Sequence, residues 1–425
     1  ARRAPVKVKV KVKVKVKVKV GCRGGCGHLA QNAPAPVRSA PPRFWSCMSG
    51  SPPHPAFPSS APPVRALASA PLSMRRRLWL LAGVALCMLW TFPWQPKINN
   101  PNENVRFYMT AAIVEDGTYA IDGPWQRWGW VNDAALKDGH HYSVKAPLTS
   151  LLGVPAYGLY RGFCSVTGHA FARGEALWSV RLFASVLPFL LFLWLWLPWL
   201  GRRTHSPLLR DGVWLATGLG SLLYGYALLF VSHTLAASAA FGGLMLLSRT
   251  RGAPSAQRRN LFFAGLLAAS VTAAEYPGII VSVALSMLAL ATVRPWRGLL
   301  FFGAGAAVPT VAVMHFQWRA FGSPFSPGHL FLENATFRAV HHQGVFGADA
   351  FRLEAAHDLL FDPGFGLFPL TPLLLPGLVG LVSFVAVPRL TSAKAGGRAG
   401  VAVVRTAAAI ALLTWLATAT LSNWR

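Results

Sequence analysis

Between Asn102 and Lys145 the chain sets carboxylates first and cations last. Glu103, Asp116, Asp122 and Asp133 are followed by His140-His141-Tyr142-Ser143-Val144-Lys145. Five of the 14 acidic residues fall between 103 and 133, a sixth is Asp138, and residues 1–102 carry none. A carboxylate that takes a proton from a hydroxyl, with a cation to receive a departing phosphate, is the pair that glycosyl transfer from a lipid phosphate needs. Glu103 and Asp116 are the candidate bases. Lys145, His140 and His141 are the candidate substrate-binding cations.

Three further residues stand at places where an ionisable group asks for an explanation. Arg181 opens an apolar run and is placed to pair with a carboxylate or a lipid phosphate, or to snorkel. His233 lies in Ser232-His233-Thr234, a break between apolar segments, where it can hold a phosphate or pass a proton. Glu275, in Ala-Ala-Glu-Tyr-Pro, sits where two apolar segments turn, and it either serves a site or caps the next helix. Ordinary roles fit several of these residues equally well, Glu103 above all, since an acid in the first turn of a helix is stabilised by the helix dipole.

The elements that must position these groups are oily. Apolar residues make up 53% of the chain, charged residues 13%, and the mean hydropathy is +0.41. Several runs reach the ~18–20 residues that cross a hydrocarbon core as helix. An all-α, polytopic membrane protein is expected. Arg75-Arg76-Arg77 precedes a first span over Leu78–Trp94 and holds its start on the inner side. Arg-rich clusters at 202–210, 249–259, 294–297 and 389–405 then alternate with breaks at Ser232-His233-Thr234 and Glu275-Tyr276-Pro277. Every cluster falls on one face and every break on the other, with Asp211 the single acid on the basic face. Trp178–Leu200 is the expected second span, and Ala146–Gly162, with Pro147 and Pro155, a helix lying at the outer surface. About nine spans result, with Val401–Leu421 the last. External loops cover about 95–176 and 317–364. Within the first, Val105, Tyr108, Met109, Ala112 and Ile113 recur at helical spacing, which predicts an amphipathic helix resting on the membrane and ending at Gly117.

The formal charge of +27 is uneven. Residues 1–77 hold 16 of the 41 Lys and Arg, so residues 78–425 carry 25 against 14 acids, a balance ordinary for basic loops of a membrane protein. No basic patch on a folded domain points to nucleic acid. Two domains are expected. Residues 1–73, with the Lys-Val alternation of 6–20, are a low-complexity tail, disordered or an over-extended reading frame ahead of Met74. Residues 74–425 are the transmembrane domain, expected to be truncated at its C-terminal end. Cys22, Cys26 and His28 lack a fourth partner at finger-like spacing. In the second polar loop Glu354, His357 and Asp358 share a helix face. No metal site or cofactor is assigned, a divalent ion there being the weaker reading.

The order Asn102-Glu103, Tyr108, Ala112, Gly117, then Gly139, Tyr142 and Lys145-Ala146-Pro147, with Arg181-Leu182 at the next span, resembles the GT-C-fold membrane glycosyltransferases. The nearest groups are the protein O-mannosyltransferases and the bacterial aminoarabinose transferases. The resemblance covers roughly residues 78–250. It implies a polyprenyl-phosphate-linked sugar as donor, an acidic base, inversion at the anomeric carbon, and an acceptor hydroxyl or amine on a cell-envelope glycan, lipid or protein. It also implies a bacterial cytoplasmic membrane with the active face external. The chain departs from the family pattern in three places. Asn102 stands where the family has its first Asp, Lys145-Ala146-Pro147 lacks one proline, and Ser232-His233-Thr234 offers no acid. A lipid-linked-sugar transporter or a non-catalytic scaffold on the same helices is the alternative.

Overall fold

The protein is described by a computed structural model for residues 73–94, 100–204, 206–249, 254–344, 347–386 and 398–421. All belong to one compact unit. The Lys-Val repeat, Cys22, Cys26 and His28, and residues 95–99 lie outside the described residues.

The described chain is mostly helical. Helix α1 (Met74–Thr91) is capped by the Ser73 hydroxyl, which accepts from the Arg76 N–H. Helix α2 (Pro101–Glu115) begins on Asn100, whose side chain accepts from the Asn102 N–H, with Pro101 in the first turn where its missing donor is harmless. A short α3 (Asp122–Trp128) leads into an antiparallel hairpin, β1 (Ala134–Lys137) and β2 (His140–Ser143). This two-stranded sheet departs from the all-α expectation. Its turn is Asp138-Gly139, with φ of 51° and 82°, the left-handed pair that a two-residue hairpin turn requires.

Helix α4 (Leu148–Thr167) follows, and it extends the expected Ala146–Gly162 helix to a left-handed Gly168. It packs on α2 and on α5 (Arg173–Arg181). One π turn, Leu182–Val186, joins α5 to α6 (Leu187–Gly201), so that Arg173–Gly201 runs as one helix containing the expected Trp178–Leu200 span. Beyond it come α7 (Pro207–Leu219), α8 (Leu222–Ala227) and α9 (His233–Leu247). The segment expected as two helices is therefore broken twice, at Gly220-Ser221 and again before His233. Helices α10 (Pro254–Ala274) and α11 (Ile279–Thr292) meet at Glu275 and a single 3-10 turn. Helix α12 (Gly298–Phe321) ends on a left-handed Gly322. The second polar loop folds into α13 (Ala335–His341) and α14 (Leu353–Phe361) before α15 (Leu367–Leu370), α16 (Leu374–Ala386) and α17 (Arg398–Thr418).

By length and composition, three helices among the described residues can cross a membrane: Arg173–Gly201, Gly298–Phe321 and Val401–Thr418. His233–Leu247, Tyr276–Thr292 and Leu374–Phe384 are apolar but shorter.

One core gathers α2, the hairpin, α4, α5 and the end of α12 around Phe107, Tyr108, Tyr157 and Phe316. Here the expectation for α2 fails. It is no surface amphipath, because Val105 through Ala112 are all buried, Arg106 and Thr110 included. Apolar spacing identified the helix, but α3, α4 and β2 cover its remaining faces. A second core joins α1, α6 and α7 to α9, and a third joins α9 to α12 and α17.

Candidate functional site

The N-terminal end of α2 is where the separated polar residues meet. Glu103 and Arg106 lie one turn apart on that helix, and both are buried. They look toward different partners and do different work.

Glu103 accepts from Nε and Nη2 of Arg181, each at 2.6 Å, and from the backbone N–H of Phe230 at 2.6 Å. Arg181 also donates from Nη1 to the Pro93 carbonyl at 3.0 Å. The end of α1, the start of α2, the close of α5 and the turn before α9 are thus tied at one carboxylate. Both oxygens are engaged and the residue is 1% exposed. Sequence reasoning made it a base. Its surroundings are those of a buried ion pair that joins these segments.

Arg106 faces the other way. Its Nη1 donates to the Asn102 side-chain oxygen at 2.5 Å and to the Asn102 carbonyl at 2.9 Å. Its Nη2 donates to the Ser232 hydroxyl and stands 3.4 Å from Glu275 Oε1. Ser232 in turn donates to the same Glu275 oxygen. The imidazole of His233 completes the group, with Nδ1 3.1 Å from Glu275 Oε1 and its ring edge-on to Tyr226 at 4.7 Å. The helix breaks before α9 and before α11, 43 residues apart, converge here because Ser232 Oγ and Glu275 Oε1 bond directly. Burial by itself raises the Glu275 acid. The hydrogen bond from His233, the charges of Arg106 and His233, and the bond from Ser232 outweigh it and hold the carboxyl down at about 2.

Lys145 pairs with Asp133. Its Nζ is 3.1 Å from Asp133 Oδ2, both side chains being a fifth to a quarter exposed. Asp133 is also within electrostatic reach of Arg106. Burial lowers the pKa of the Arg106 guanidinium, and the surrounding carboxylates Glu275, Asp133 and Glu103 oppose that effect. The result is a connected series of charges: Lys145 with Asp133, then Arg106, then Glu275 with His233. Among the sequence candidates, His233 and Glu275 are in direct contact, Lys145 is linked to them through Asp133 and Arg106, and Glu103 and Arg181 pair at the start of α2.

Asp116, His140 and His141 are elsewhere. Asp116 is exposed at the far end of α2, and 13 residues at 1.5 Å each put it ~20 Å from Glu103. His140 and His141 both turn to Asp122, with Nδ1 atoms 2.8 and 2.9 Å from its two oxygens. The His141 N–H adds a bond at 2.9 Å, and its ring stacks on Trp125 at 4.1 Å. Burial raises the Asp122 acid, but the backbone N–H of His141 and the two imidazoles lower it more. These histidines fasten the hairpin to α3. They do not join Lys145.

Sequence reading missed Arg106, and it named Asp133 and Ser232 without assigning either a role. Asn102 and Arg106 stand at i and i+4 on a helix with an N-cap, a signal that two polar groups share a face. Nothing in the local sequence tells that Asp133 meets Lys145, because the hairpin between them sets that contact. Among the described residues no group of three or more His, Cys, Asp or Glu is arranged to hold a metal ion. In the second polar loop, His357 Nδ1 lies 3.1 Å from Asp358.

Compared with models of known protein families, with curated proteins and with solved structures, the chain matches none.

Proposed function

We propose that this chain is a multi-span membrane protein that transfers a sugar from a polyprenyl-phosphate donor to an acceptor hydroxyl or amine, on the external side of a cell-envelope membrane. The observation that carries the reading is the His233–Glu275 pair set against Arg106 and Lys145. A carboxylate on Nδ1 fixes the imidazole and leaves Nε2 on a ring that is 42% exposed. That nitrogen can take the acceptor proton, with Glu275 orienting it, in the way that a base is held by a third group in activated-nucleophile sites. The acceptor oxygen then bonds to the anomeric carbon while the bond from that carbon to the phosphate oxygen breaks. The electron pair leaves on the phosphate, and Lys145 and Arg106 balance its charge.

The surroundings support a lipid-borne donor. Leu187, Leu191 and Leu195 form an exposed apolar stripe on α6, and Ile279, Val283 and Met287 form another on α11. Such surfaces suit hydrocarbon rather than water. The nine-span topology, with the basic clusters inside and the helix breaks outside, belongs to the same reading.

One observation favours a second reading, a protein that binds or moves the lipid-linked sugar without transferring it. Asn102 replaces the family's first acid and is engaged by Arg106, while Glu103 is engaged by Arg181. Membranes containing the full chain, given polyprenyl-phosphate-linked radiolabelled sugar, separate the two. Transfer predicts release of free polyprenyl phosphate that His233→Gln and Lys145→Ala both abolish. Release undiminished in both variants would refute the assignment, and donor binding without release would establish the second reading.

A further inference from the structure

A different group of cations sits at the other end of the Arg173–Gly201 helix. Its last turn is closed by the N–H groups of Arg202 on Trp199 O at 3.2 Å and of Arg203 on Leu200 O at 2.8 Å. The Arg203 guanidinium lies 4.4 Å over the Trp199 ring. The indole nitrogen of Trp199 donates to the Ser248 hydroxyl at 3.3 Å. Ser248 precedes Arg249, which closes the last turn of α9 through its N–H on Leu246 O at 2.9 Å. One indole therefore gathers cations from the ends of two helices.

These cations lack a counter-charge. Asp211 is taken by Arg76 at 2.5 Å and Arg210 at 2.7 Å. Among the described residues no carboxylate lies within ion-pair distance of Arg202, Arg203 or Arg249, and none of their guanidinium groups donates to a carbonyl. The Arg249 Nε is shielded from solvent without a hydrogen-bond partner. Arg249 feels both neighbours, since burial and then the charges of Arg202 and Arg203 lower its pKa. A helix end attracts a cation by its dipole. The terminal carbonyls here already accept backbone N–H groups, so the dipole alone leaves three like charges assembled with nothing between them.

The apolar surface beside them has a direction. Leu187, Leu191 and Leu195 are about half exposed and stand one helical turn apart, with Trp199 the next on that face. In the first turn of α7, Leu208 is 84% and Leu209 57% exposed. An apolar stripe running down to three unpaired guanidinium groups matches an amphiphile with an anionic head. Arginine forks pair with phosphate oxygens in a fixed, often bidentate geometry.

We infer that Arg202, Arg203 and Arg249, gathered about Trp199, bind the phosphate of an anionic phospholipid whose acyl chain lies along Leu187, Leu191 and Leu195. Arg202, Arg203, Arg249 and Trp199 take no part in the transfer chemistry proposed above.

The test uses the full chain, purified in neutral detergent, delipidated, and titrated with phosphatidylglycerol, phosphatidylcholine or inorganic phosphate before native mass spectrometry. The expected result is retention of phosphatidylglycerol over phosphatidylcholine by roughly tenfold or more, since each basic residue near an anionic lipid contributes about a fivefold factor. R202Q/R203Q/R249Q should bring that ratio below about twofold, and R294Q/R297Q, at another helix end, should leave it unchanged. R202K/R203K/R249K keeps the charge that helps to orient the chain, and it should show an intermediate ratio because lysine lacks the fork. Where the glutamine variant fails to insert, the lysine variant decides. A lysine variant equal to wild type, an unchanged ratio in the glutamine variant, or an equal loss in R294Q/R297Q overturns the inference. Displacement of the lipid by millimolar inorganic phosphate also overturns it, showing a site for free anions.

Discussion

Arg181 grips Glu103 through two parallel bonds of 2.6 Å, across 78 residues of chain and with both side chains buried. A buried bridge of this kind is a poor source of net stability, because desolvation offsets much of the attraction. Its removal from one side is another matter, since the remaining charge is left in the core. Glu103→Gln is therefore expected to cost about 3–5 kcal/mol of stability and to lower the melting temperature of the detergent-solubilised protein. The double variant E103Q/R181M should recover part of that loss. A catalytic acid would give the opposite pattern, an unchanged melting temperature with lost activity.

The His233–Glu275 pair makes the complementary prediction. His233 is half exposed, and Arg106 and Ser232 still hold the Glu275 carboxylate when it is replaced. His233→Gln should lower sugar transfer by about 10²–10⁴-fold, the usual contribution of a positioned proton acceptor, with the melting temperature nearly unchanged. Lys145→Ala should act on the same step through the leaving phosphate. Radiolabelled donor consumption and thermal unfolding, measured on the same preparations, separate the three residues into one that braces and two that react.

Acid should act on Glu275 in a definite direction. Its folded value of about 2 lies below the ordinary glutamate value, so the folded state favours the ionised form. The stability it contributes is fully present above the ordinary value, and it is lost as pH falls from there through about 2. Glu275→Gln removes this dependence. The difference in melting temperature between wild type and E275Q should therefore shrink as pH is lowered from 6 toward 2. A difference that stays constant with pH would show that His233, Arg106 and Ser232 do not hold the carboxylate as described.

Much of this arrangement was legible in the sequence, and the failures have physical causes. The helix breaks at Ser232-His233-Thr234 and Glu275-Tyr276-Pro277 were readable because polar residues interrupt apolar runs there. That Ser232 and Glu275 bond to each other was not, since it depends on how α9 packs against α10. Glu103 was correctly placed at a helix start, yet its pairing with Arg181, 78 residues away, was not legible in the local sequence. The α2 helix was recognised from its apolar spacing, but burial of Arg106 on the opposite face is a tertiary effect that no local pattern encodes. Asp138-Gly139 is a two-residue hairpin turn signal that the sequence reading did not use.

The hairpin sets where Lys145 stands, so its turn should affect the site from a distance. Gly139 has φ of 82°, and a β-branched side chain there is strained by about 1–2 kcal/mol. Gly139→Val is expected to disturb the register that pairs Lys137 with His140 and Ala134 with Ser143. The chain leaves β2 directly toward Val144 and Lys145, so donor affinity should weaken more than stability does. A titration with labelled lipid-phosphate sugar beside a thermal melt measures both. Equal effects on the two, or none on affinity, would count against the hairpin as the element that places Lys145.

Helices α10 and α12 approach through two glycines that face each other's backbone. A Cβ on Gly265 would strike the Phe302 carbonyl, and one on Gly305 would strike the Phe262 carbonyl. The contact is reciprocal and made by main chain, which cannot swing aside as a flexible side chain does. Even Gly305→Ala should force the helices apart, with a loss of about 1–3 kcal/mol or more by overpacking. Gly303, on the same helix, has open space around it and serves as the control. Gly303→Ala should be neutral or slightly stabilising, because alanine is the better helix former by up to ~1 kcal/mol. Since α10 leads directly into Glu275, the Gly305 variant should also lower sugar transfer while the Gly303 variant does not. Thermal unfolding and donor consumption on the pair test whether close packing of these two helices is what holds the carboxylate of Glu275 against Arg106 and His233.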